Sequence, residues 1–145
     1  MENSKKQLKV ASILMLVLTA WSLIKLVVDI ILFSIDPNQF EGIAEENFVI
    51  VKIVAIVFGI FLLIPGVYVG VKGLKFAKNP DSSKAHLIVA FILLIGVLVA
   101  TITAAINVFK GIEVASYTAN LSGHIAENIA LVLYIRSAEE ISKSL

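Results

Sequence analysis

Cysteine is absent from this chain. That excludes disulfide staples, thiolate metal sites, thiol nucleophiles and c-type haem attachment. Charge is scarce too, and what there is clusters between apolar stretches. The formal net charge is only +1, and no basic stripe is interleaved with aromatics. A nucleic-acid partner is therefore not expected. There is no internal repeat and no low-complexity segment. No phosphate-binding loop and no nucleophile–base pair can be picked out, so no catalytic residue is assigned. No motif asks for a cofactor.

What the sequence has in excess is hydrocarbon. Apolar residues make up 59% of the 145 residues, against roughly 45–50% in ordinary globular proteins. A soluble domain of this length could not bury that much apolar surface. A lipid bilayer removes the difficulty, because its tails are an apolar solvent.

About 20 helical residues cross the ~30 Å hydrocarbon core of a membrane. Four stretches meet that length: about 10–35, 48–71, 87–109 and 114–135. The third carries no charge and is the clearest. The fourth is the weakest, because strong apolarity begins at Ile125 and stops at Arg136. That run alone covers about 16 Å as helix, so the span must include Ser116 to His124. Its polar face then needs shielding by protein, since lipid cannot supply hydrogen bonds. The start, Met1 to Lys9, is short and basic, but no clean small-x-small cleavage site follows. It reads as the lead into a retained first span.

The expected fold is all-α, a single four-helix transmembrane bundle. Asp36-Pro37-Asn38 ends the first helix, because proline cannot continue it. Glu41, Glu45 and Glu46 lead into the second, where negative charge suits the helix dipole. Asn79-Pro80-Asp81-Ser82-Ser83 is the next turn, with Asp81 or Ser82 as the cap of the third helix. Lys110-Gly111 marks the last connection. Lys5, Lys6, Lys9, Lys72, Lys75, Lys78, Lys84, Arg136 and Lys143 all fall on one side of this arrangement. The positive-inside rule makes that side cytoplasmic, with both termini on it.

The segment Gly66-Val-Tyr-Val-Gly70-Val-Lys-Gly73-Leu-Lys-Phe-Ala-Lys-Asn-Pro80 is followed by a basic turn and an apolar run. With the early Lys-Lys pair and the four-span layout, the chain resembles small uncharacterised four-transmembrane-helix proteins of Gram-positive gut bacteria. The resemblance covers residues 66 to 96 best. It implies a bacterial plasma-membrane location and brings no activity with it.

Polar groups at membrane depth cost roughly 2.5–3.5 kcal/mol each on insertion scales and usually face the protein interior. Lys25 and Asp29 are four apart on the first span and share a face with Ser22. On the fourth span Glu113, Tyr117, Asn120, His124, Glu127 and Asn128 form one stripe. On the third, Gly96, Ala100, Thr103 and Asn107 follow helical spacing. Lys25, Asp29, Asn120, His124, Glu127 and Asn128 are therefore expected to converge as a polar cluster, with Lys25 paired to Asp29 or Glu127.

Each feature has a plainer reading. Lys25 and Asp29 can be a neutralising pair between helices. Lys52 can snorkel to the surface, and the asparagines and threonines can be interhelical hydrogen-bond partners. His124-x-x-Glu127 has the spacing of a metal or proton-relay pair. The second histidine, His86, lies at the cytoplasmic boundary, so no metal site is assigned. Gly66, Gly70 and Gly73 form a small-residue face for close helix packing, within one bundle or in a homo-oligomer. Pro65 should bend the second span.

Three functions fit. The first is a non-enzymatic membrane protein acting through contacts, as a scaffold, subunit or regulator of a larger membrane complex. The second is an oligomeric solute or ion permeation protein using the polar cluster. The third is a membrane enzyme, or a receptor for a lipid or small ligand.

Overall fold

The structure, a computed structural model, describes residues 1–35, 47–110 and 114–145; the side chains of 29, 32–35, 51, 55 and 114–120 fall outside that description. Four helices are present: α1 (Glu2–Ile35), α2 (Phe48–Lys78), α3 (Ala85–Phe109) and α4 (Val114–Lys143). The turn at 36–38, the acidic residues 41, 45 and 46, and Gly111 lie outside the described residues.

Among the described residues three helices are long and apolar enough to cross a membrane: α1, α2 and α3. Their large apolar side chains point outward on every side. On α2, Val49, Val57, Phe58 and Phe61 are each more than 60% exposed. A helix apolar all round belongs in lipid or in a large protein core, and here the bundle supplies no such core. α4, expected as the fourth and weakest span, is a helix but does not join that set among the described residues; His124, Glu127, Asn128 and Arg136 interrupt its apolar run. It is shielded instead by α1 and α3, along which it packs.

Neighbouring helices run antiparallel. Gly59, Gly66 and Gly70 of α2 oppose Leu26, Thr19 and Leu16 of α1, stepping in opposite directions. Ser4 and Gln7 near the start of α1 hydrogen-bond Glu140 and Ser137 near the end of α4, at 2.8 and 3.5 Å. α1 packs along α2 and α4, and α3 along α4; the seam between α2 and α3 is shorter.

The packed core sits at one end. Leu8, Ala11 and Met15 of α1 meet Val69 and Phe76 of α2, Leu87 of α3, and Leu131, Tyr134 and Ile141 of α4. This is the end that holds both termini and the 79–84 turn. In lipid there is no hydrophobic drive between helices, so close approach of small residues must hold them. The buried interface has that composition: Ala11 and Ser12, Gly66, Gly70 and Gly73, Ala90, Ala130, Ser137 and Ala138. A Cβ at Gly73 would fall onto the Ser12 hydroxyl and the Tyr134 ring, and one at Gly70 would lie 3.2 Å from the Ser12 carbonyl oxygen. The three glycines thus serve packing within the bundle, on α1 and α4.

The same end carries the polar ties. Ser4 donates to the Glu140 carboxylate, and Arg136 donates to it at 3.2 Å. Those two bonds hold the Glu140 carboxyl below its ordinary range. Asp81 does not cap α3. Its carboxylate accepts the Ser83 amide at 2.8 Å, forming a local turn, and Lys84 occupies the cap position without a side-chain bond. The turn geometry satisfies Asp81 before the helix begins.

Candidate functional site

Beyond the packed end the helices separate, and a cavity of about 600 Å³ opens between them. That lies within the ~300–1,000 Å³ of ordinary ligand sites. All four helices line it. α1 supplies Thr19, Ser22, Lys25 and Leu26; α4 supplies His124 and Glu127. α2 contributes residues between Gly59 and Gly66, and α3 residues between Ile92 and Ala100. These positions are near the middle of each apolar stretch. Small residues make the room: Gly59, Gly66, Gly96 and Ala100 put little or nothing into the space.

The structure brings Lys25, His124 and Glu127 to one wall system. It sends Asn128 elsewhere. The Asn128 amide donates to the Thr101 hydroxyl at 2.7 Å and to the His124 carbonyl at 3.0 Å, tying α4 to α3. The Thr101 hydroxyl in turn donates to the Val97 carbonyl at 2.6 Å. The side chains of Asp29 and Asn120 lie outside the described residues. Lys52 is half-buried. Thr103 donates back to the Val99 carbonyl and is exposed, so it is not in the cluster. Among the described residues no third His, Cys, Asp or Glu joins His124 and Glu127 to make a metal set.

The two hydroxyls on the α1 wall have used their hydrogens within the helix. Thr19 donates its hydroxyl hydrogen to the Met15 carbonyl at 2.7 Å, and Ser22 donates to the Leu18 carbonyl at 3.0 Å. Towards the cavity both oxygens can only accept. Among the described residues, the Glu127 carboxyl group forms no hydrogen bond and no ion pair. The rest of the wall is hydrocarbon, from Leu62, Leu63, Ile92, Leu93 and Val97.

A second polar node was less legible. His86 and Tyr134 are fully enclosed at the packed end, with Nδ1 of His86 2.9 Å from the Tyr134 hydroxyl. The Phe76 ring lies 4.6 Å from the imidazole. Among the described residues His86 Nε2 is buried without a partner. The sequence marks His86 as a boundary residue, and nothing in its spacing points to Tyr134, which is distant in the chain.

The Asn128 geometry sets an expectation. Asn128→Ala removes one interhelical bond, and such bonds average about 0.6 kcal/mol in membrane bundles with a ceiling near 1.7. Reversible unfolding in detergent should show a loss of that size. A loss several times larger would mean that the amide does more than link α4 to α3.

Architecture and site together define an all-helical bundle with three helices suited to a bilayer and a mid-bundle cavity lined by all four helices. Comparison of the chain with protein-family models, with curated proteins and with solved structures finds no match.

Proposed function

We propose that the chain is a non-enzymatic polytopic membrane protein that acts by contact within the bilayer, as a binding subunit or regulator of a larger membrane assembly. The observation that carries this reading is the asymmetric bundle. One end is locked by small-residue packing, and the other opens a cavity whose polar groups come from α1 and α4. A protein built only to fill lipid would not place Lys25, His124 and Glu127 at that depth, because each is costly there. In this reading α4 is the fourth crossing, its polar face covered by α1 and α3. Both termini lie in the cytoplasm of a bacterial cell, on the side of the basic residues.

The absence of native cysteine makes the topology directly testable. Three single-cysteine variants suffice: Lys5→Cys, Ser82→Cys and Ser144→Cys. All three should resist an impermeant maleimide in intact cells and react after permeabilisation. Labelling of Ser144→Cys from outside would overturn the fourth crossing.

A second reading, permeation, is favoured by the ionisable cavity wall. It predicts solute or ion flux in proteoliposomes that Lys25→Ala and Glu127→Gln each abolish while the helical content stays. Flux that survives both changes would sink that mechanism. A chain that gives no flux, yet purifies as a stoichiometric complex with a membrane partner, supports the contact reading.

A further inference from the structure

From the donor and acceptor balance of the cavity we infer that it binds a lipophilic amine, a hydrocarbon body carrying one protonated nitrogen, with Glu127 as its counter-ion. The inference rests on the reading of the chain as an intramembrane binding protein and names the ligand class of that site.

Three observations converge. The Glu127 carboxyl group faces the cavity and makes no hydrogen bond or ion pair among the described residues. A carboxyl group in an apolar environment is costly without a donor, so a ligand that donates is the natural complement. The hydroxyls of Thr19 and Ser22 have spent their hydrogens on their own helix and present only lone pairs. The remaining wall, Leu62, Ile92, Leu93 and Val97, suits a hydrocarbon chain. An alkylammonium head supplies up to three N–H donors and a charge, which matches the Glu127 carboxylate on α4 and the hydroxyl lone pairs on α1, on a wall that Lys25 and His124 share.

The Lys25 side chain shares the wall and has an interaction of its own. It sets a limit on position: the ammonium must lie towards Glu127 and away from the Lys25 side chain, with the tail directed between α2 and α3. That direction is the one the bundle leaves open, since the α2–α3 seam is the shorter one. A ligand dissolved in the bilayer would enter there without passing through water.

Gly96 offers a clean way to fill the site. It lines the cavity, and a Cβ built there meets nothing within 4 Å. Gly123 on α4 also has open space around a Cβ but is not among the lining residues. Gly96→Leu should therefore block the cavity, and Gly123→Leu adds the same bulk as a control.

The test uses the full chain in lipid nanodiscs with tritiated dodecylamine as probe, and empty nanodiscs to subtract partitioning. Dodecanol and dodecyltrimethylammonium compete as matched ligands without charge and without N–H donors. Saturable binding at one amine per chain is expected. Glu127→Gln should weaken it by about tenfold or more, the scale of a charge-assisted bond. Gly96→Leu should remove it, and Gly123→Leu should leave it intact. Competition by dodecanol as effective as by unlabelled amine would overturn the counter-ion role, as would full binding to Glu127→Gln. Full binding to Gly96→Leu would overturn the location. Circular dichroism of each variant, compared with the parent, separates lost binding from lost fold. The topology experiment with impermeant maleimide fails independently: if the crossings hold and dodecylamine does not bind, only the ligand class is wrong.

Discussion

Gly73→Leu is expected to unfasten the packed end of the bundle, with a loss of stability of about 1–3 kcal/mol or more. Gly73 stands where α2 crosses both α1 and α4, and an added Cβ would run into the Ser12 side chain and the Tyr134 ring. Neither can yield easily. Ser12 and Tyr134 are fully buried, and the Ser12 hydroxyl is anchored to the Leu8 carbonyl at 2.7 Å. To admit a side chain, α2 must move away from α1, which opens the neighbouring contacts of Val69 and Phe76. In lipid that separation is not opposed by a hydrophobic drive, so close packing is most of what is lost. Gly123→Leu is the matched control, since a Cβ there meets nothing within 4 Å. Thermal unfolding in one detergent, followed by circular dichroism, measures both. Equal midpoints for the two variants would show that the glycine face does not hold the bundle together.

The glycine face was legible in the sequence, and so was its alternative use in an oligomer. What decided between them was the position of partners distant in the chain. Ser12, Leu16 and Thr19 offer α2 a surface of matching spacing on α1, and that match appears only when the two helices are laid antiparallel. The same holds for the polar cluster. Spacing put Lys25 on one face of α1 and His124 with Glu127 on one face of α4. It also put Asn128 with them, whereas the structure turns its amide to Thr101 on α3. Asn128 is one position from Glu127, so a small rotation of the helix decides which of the two points inward. Periodicity defines a stripe about one side chain wide and cannot resolve that choice. The distal end of α3 was legible, at Phe109. At the other end all the helices that reach it run past their apolar stretches, because the basic and polar residues there still form helix once neighbours pack against them. α1 begins at Glu2 and α4 continues to Lys143.

Tyr134→Ala should be the most damaging single truncation, at about 3–5 kcal/mol. The ring is fully enclosed, touches Gly73 on α2 and meets the His86 imidazole edge-on with centroids 5.9 Å apart. Its loss leaves a void at the junction of α2, α3 and α4. Tyr134→Phe separates packing from hydrogen bonding. It keeps the ring but strips His86 Nδ1 of its 2.9 Å partner, at a place where Nε2 is already unpaired among the described residues. Leaving a buried nitrogen unsatisfied costs about 1–3 kcal/mol, whereas replacing both members of a buried pair by apolar groups can be nearly neutral. Tyr134→Phe combined with His86→Leu should therefore be more stable than the sum of the single losses predicts, by about 0.5–3 kcal/mol of coupling. Unfolding of the four species in one detergent closes the cycle. Strict additivity would mean that the hydroxyl and the imidazole do not act as a pair, and that the enclosed end of the bundle is held by shape alone.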